Sequence, residues 1–113
     1  MAGPSNPDTI LFDAPAKFTD GTSIPVGTIS KYQYGFGQTS KVYTLIKDDT
    51  DMTPDSQGKQ QAPLTIAGQL AFGQWFGAAR AVTKDGTTSA WSNEAAFTVD
   101  AKTPEAPTGF TVA

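Results

Sequence analysis

The strongest constraint on this chain is how its stiff residues are spaced. Sixteen Thr, five Ile and five Val stand in 113 residues that contain only four Leu, two Met and two Glu. β-Branched side chains have few χ1 choices, which costs helix and suits a pleated surface. Eleven Gly and eight Pro punctuate the chain at short intervals, as turns between short strands do. An all-β fold is expected, with a modest core, because folding at this length buries roughly two-thirds of the unfolded surface.

Composition removes whole classes of chemistry. The chain has no Cys and no His, which excludes disulfides, thiolate or imidazole metal sites, and Cys- or His-based nucleophile–base pairs. The net charge is −3, which gives no electrostatic reason for nucleic acid or an anionic membrane as partner. No window approaches the ~20 apolar residues of a membrane-spanning helix. Met1–Asp8 has neither a basic end nor an apolar stretch; if Met1 is the native start, synthesis and folding take place in the cytoplasm.

Along the chain, residues 1–9 read as an N-terminal arm, residues 10–100 as the folded domain, and residues 101–113 as a Pro-rich linker with a strand-like end. Strands are expected at Thr9–Phe12, Ile29–Phe36, Val42–Ile46, Pro63–Ala67, Trp75–Thr83 and Ala95–Val99, with a fragment at Phe110–Val112. Turns fall at Asp20-Gly21 and Asp85-Gly86, since Asp-Gly favours positive φ. Tyr32, Tyr34 and Phe36 alternate and share one face. Gly35 and Gly37 flank Phe36 and suggest a bend or bulge. Trp75, Ala79 and Ala81 are assigned inward, because the other register would bury Arg80 unpaired. About seven short strands separated by turns point to a β-sandwich.

Several of these pieces resemble known ones. ILFDAP, TDGTSIP and ISKYQYGFGQTSKVYTL are similar to the first half of bacterial fibronectin type III domains, and PLTIAGQLAFGQWFGAARAVTKDGTTSAWSNEAAFTV to their last two strands. The likeness spans about residues 10–99 and implies an immunoglobulin-like, fibronectin type III-like sandwich with terminal arms. Phe12 stands where that family usually has Trp. The family's corner tyrosine falls near Trp75 or Phe76, which carry no hydroxyl. The family's first strand has no counterpart before ILFDAP, whereas the C-terminal PEAPTGFTVA looks like that strand. Phe110 and Val112 are therefore expected to add as a strand to a neighbouring subunit or another protein.

The remaining candidates are weighed on chemistry. Asp48, Asp49, Asp51 and Asp55 could offer oxygen ligands to calcium, but the loop lacks EF-hand spacing and reads as solvated acid; no metal or other cofactor is assigned. Nothing resembles SxxK or GxSxG, and no catalytic residue is assigned. Trp75, Trp91, Tyr32, Tyr34, Tyr43 and Phe36 could form a sugar-stacking platform or simply fill the core. Trp91, in a loop-like Ser-Ala-Trp-Ser, is the ring expected at a contact surface. The partner-binding residues expected are thus Trp91, Phe110 and Val112. The function expected is a non-catalytic structural protein of a bacteriophage virion, a capsid decoration or head–tail appendage subunit, binding other virion subunits or its own copies. The alternative is an accessory or carbohydrate-binding module of a secreted bacterial glycanase or adhesin, extracellular and with polysaccharide as partner.

Overall fold

The computed structural model describes residues 4–51, 59–101 and 104–112. Among them six strands form: β1 (Thr9–Phe12), β2 (Ile29–Gly37), β3 (Leu45–Asp49), β4 (Gln60–Pro63), β5 (Gly73–Thr83) and β6 (Ala95–Val99). They make two antiparallel sheets, β1-β4 and β3-β2-β5-β6, a layering compatible with a β-sandwich. The all-β expectation holds.

Both sheets contribute to one core, with β2 at its centre. Tyr32, Tyr34 and Phe36 are buried on a single face, as their two-residue spacing requires. Phe12, from the small sheet, meets Tyr32 and Tyr34 edge-on at 4.8 and 5.9 Å, and Phe36 meets Phe97 of β6 at 6.4 Å. Edge-to-face ring pairs add about 0.5–1.5 kcal/mol each beyond area burial. On β5, Trp75, Ala79 and Ala81 are buried, the register assigned from sequence. The Trp75 indole N–H donates to the Ala71 carbonyl at 2.8 Å, four residues upstream.

Tyr34 is 1% exposed, and its phenolic O–H donates to Asp49 Oδ2 at 2.6 Å. The other oxygen of Asp49 accepts the Asp51 backbone N–H at 2.9 Å. Burial, with the hydrogen bond to Asp49 next, pushes the Tyr34 hydroxyl far above its ordinary value. A buried carboxylate is tolerated here because it is held by directed donors.

Four expectations change on folding. The strand expected at Val42–Ile46 starts at Leu45, because Thr39–Val42 closes a tight turn (Val42 N–H to Thr39 carbonyl, 3.1 Å) with Lys41 at φ 62°. The segment Pro63–Ala67 divides: β4 ends at Pro63, which has no N–H to continue a ladder, and Leu64–Ala67 is a 3-10 turn that buries Ala67. No bulge occurs at Gly35 or Gly37. β2 pairs with β5 in register from Lys31 through Gly37, and the irregularity lies between Ile29 and Lys31. These glycines are needed for close approach: a Cβ on Gly37 would lie 1.8 Å from the Val42 carbonyl oxygen, and one on Gly35 would lie 2.8 Å from Tyr43 Cβ. Phe110–Val112, expected as strand-like, lies in no strand of this chain.

The two Asp-Gly turns form as expected and share one design. Gly21 N–H donates to the Phe18 carbonyl and Gly86 N–H to the Thr83 carbonyl, both at 3.0 Å, with the glycines at φ 88° and 89°. In each, the aspartate accepts the backbone N–H of the threonine two residues on, at 2.9 Å in the first and 3.1 Å in the second. The N-terminal arm is also anchored. Asn6 N–H donates to the Thr98 carbonyl and Thr98 N–H to the Pro4 carbonyl, a parallel bridge to β6.

Removing the Tyr34 hydroxyl leaves the buried Asp49 without its side-chain donor. Tyr34→Phe is expected to lower stability by about 1–3 kcal/mol, read as a fall in the urea midpoint with an unchanged slope.

Candidate functional site

Two surfaces carry the features from which a function can be argued. The first is the outer face of the large sheet. After the Asp85-Gly86 turn, residues 87–94 run back beside β5. Ser89 and Ser92 each form a paired contact with it. Ser89 N–H donates to the Ala81 carbonyl while its Oγ accepts the Ala81 N–H; Ser92 does the same with Ala79. This spacing of three residues turns the intervening Trp91 onto the outer face, over Gly35.

There Trp91 is half-buried. The Arg80 guanidinium carbon lies 4.3 Å from a Trp91 ring centroid, and Tyr43 meets the ring edge-on at 5.0 Å and 67°. Arg80 Nε donates to Gln33 Oε1, Gln33 Nε2 to Asp48 Oδ1, and Lys31 Nζ to Asp48 Oδ2. The Lys31 and Gln33 contacts hold the Asp48 carboxyl below its usual range. At the other end Glu94 accepts from Ser40 Oγ and the Lys41 backbone N–H at 2.6 Å and from Tyr43 Oη at 2.9 Å. The Ser40 contact leads the causes that lower its pKa. Two cations, two rings and two carboxylates thus form one band across β3, β2, β5 and the returning loop.

The second surface is a cleft of about 340 Å³ between the small sheet and β6. All four residues of β1 line it and none of β4 does; Ala95, Ala96 and Phe97 of β6 stand opposite, and Tyr34 and Phe36 reach its floor. The order β1-β4 leaves the far edge of β1 without a partner strand among the described residues. The cleft continues into a neighbouring depression through Leu11, Phe12, Ala79, Ser92 and Asn93, which line both. It is apolar and open, with one wall made of strand edge.

The residues assigned to partner binding do not converge. Trp91 sits in the outer-face band. Phe110 and Val112 stand in the C-terminal segment at 90% and 87% exposure. Asp48 and Asp49, adjacent on β3, point to opposite faces; Asp55 lies outside the described residues, and no group of three potential metal ligands forms among those described. Of the six rings considered for sugar stacking, Tyr32, Tyr34, Phe36 and Trp75 are buried, and the other two cross edge to face. In the sequence Arg80 bears only on the register of β5, and no local pattern links it to Trp91. The available signal was that Arg80 is the one charged residue in β5.

Compared with protein-family models, curated proteins and solved structures, the chain matches none. The assignment of function therefore stands on residues and geometry.

Two outcomes follow from the outer face. Gly35→Ala would drive a methyl into Tyr43 and Trp91 and is expected to cost about 1–3 kcal/mol, visible as a lower melting temperature. The second concerns acid. Glu94 and Asp48 have lowered folded-state pKa values, so the unfolded chain takes up protons first. Their stabilisation is complete above their ordinary values of 4.5 and 3.8 and is lost as pH falls through the depressed folded values. Glu94→Gln should unfold at a lower urea concentration than wild type at pH 7, and the gap should close as the pH drops below 4.5.

Proposed function

We propose that this chain is a non-catalytic structural and interaction domain of the fibronectin type III-like kind, working as a bacteriophage virion component. In this role, as a capsid decoration or head–tail appendage subunit, it binds neighbouring subunits through sheet edges, loops and terminal arms. The observation that carries the reading is the open cleft beside β1, where aromatic core residues and a strand edge with no partner among the described residues face the same gap. Such an edge is a template for a further strand, and a protein that keeps one open is suited to receiving it.

Energetics points the same way. A small domain with no disulfide has a thin margin, and binding to a neighbour adds stability by mass action. Exposed apolar side chains at Leu11, Phe18, Val42 and Ile46 add contact area around the body. A second reading is favoured by one feature, the likeness of PEAPTGFTVA to the opening strand of a following domain. It makes the chain a module of a longer secreted glycanase or adhesin.

An epitope tag on the encoded protein separates the two. The virion reading expects the tagged chain in density-banded phage particles, at a fixed ratio to the capsid subunit. Recovery only from the culture supernatant, on a longer polypeptide retained by polysaccharide, would overturn it in favour of the second.

A further inference from the structure

We infer that the occupant of the cleft beside β1 is the C-terminal segment of a second copy of this chain, residues Pro104–Val112. This rests on the interaction role proposed above and names the partner for its central surface.

The segment has the properties of a donated strand. Its residues from 104 to 112 are exposed and in no strand. Phe110 and Val112, two apart, would face the same way in an extended chain, toward a floor made by Phe12, Tyr34 and Phe36. Thr108–Val112 contains no proline, so each of its N–H groups is free to join a ladder. Gly109 stands at φ 73°, and glycine moves from there to extended geometry at little cost. The radius of gyration is 18.3 Å against about 13 Å for a compact domain of this length, as expected of a chain whose end stands off its body.

Its own cleft is badly placed for this tail. β6 ends beside the start of β1: Asp100 N–H donates to Asn6 Oδ1 at 2.9 Å, and Val99 borders the same depression as Asn6, Pro7 and Asp8. A tail turning straight back would run parallel to β1, and Pro4 and Pro7 already line the cleft at that end. The antiparallel direction, which gives the straighter ladder, must be entered from the Phe12 end. In this chain the segment does not fold back: residues 104–112 are exposed and in no strand, and none of them lines the cleft. A tail from a second copy arrives from outside and can enter at the Phe12 end.

The test uses the full chain and the full-length double variant Phe110→Ser/Val112→Ser. Both side chains are exposed, so the body should keep its near-UV spectrum. Light scattering should give wild type a mass above the 11.9 kDa monomer and the variant the monomer mass. Either a closed dimer or a concentration-dependent series supports the inference, since reciprocal and head-to-tail exchange both use the same cleft. A labelled peptide of residues 104–112 should bind the variant saturably, at least tenfold more tightly than the same peptide with both serines. Wild type that stays monomeric at millimolar concentration overturns the inference. So does an oligomer whose mass the substitutions leave unchanged, or a peptide bound no better than its doubly substituted form. A monomeric wild type found on phage particles would refute exchange between copies while leaving the virion role standing; an oligomer held by the tail but absent from particles would do the reverse.

Discussion

The packing of Phe12 against Tyr32 and Tyr34 is the contact on which the two layers depend. It joins the small sheet to the centre of the large one, and the Tyr34–Asp49 hydrogen bond then ties that centre to β3. Rings make this possible in a chain so poor in leucine, because each buries a large apolar area on one rotamer choice. The hydroxyl on Tyr34 adds direction that an aliphatic core would lack. Beneath the rings the space is filled by Ala62, Ala67, Ala79 and Ala81, small residues that let aromatic side chains from facing strands come close.

A core built this way is incomplete along one side. Among the described residues the small sheet has two strands and the large one four, and β1 closes over the rings with no strand beyond it. Pro4–Asn6 covers part of the gap by pairing with β6, and the loop carrying Ser89 and Ser92 extends the wall opposite β1. What remains is a cleft whose depth is set by the aromatic floor. The outer face is organised on different terms. Gly35 and Gly37 strip β2 of side chains there, and Tyr43, Val42 and Trp91 lie against bare backbone. Charge and ring contacts then join the strands on that side.

Much of this was legible in the chain. Alternation at Tyr32, Tyr34 and Phe36 assigned the inner face of β2, and the argument against burying Arg80 assigned that of β5. Both worked because a one-residue slip would reverse every side chain at once. Trp91 was singled out for its loop setting, but its partners Arg80, Tyr43 and Gly35 lie far from it in sequence, and no local pattern brings them together. Asp49 reads as one more acid in a polar run, and only the fold sets it against Tyr34.

The sequence by itself determined the class of structure, the inward residues of the long strands, both Asp-Gly turns and the lack of imidazole or thiol chemistry. These follow from properties of single residues and near neighbours: χ1 stiffness, period two, the freedom of glycine, and the identity of functional groups. The tertiary structure decided where β3 begins, why Gly35 and Gly37 carry no side chain, which acid is buried, and that the edge of β1 opens onto the core. Each of those depends on segments distant in sequence meeting within a few ångströms, and such a meeting leaves no periodic trace in the chain.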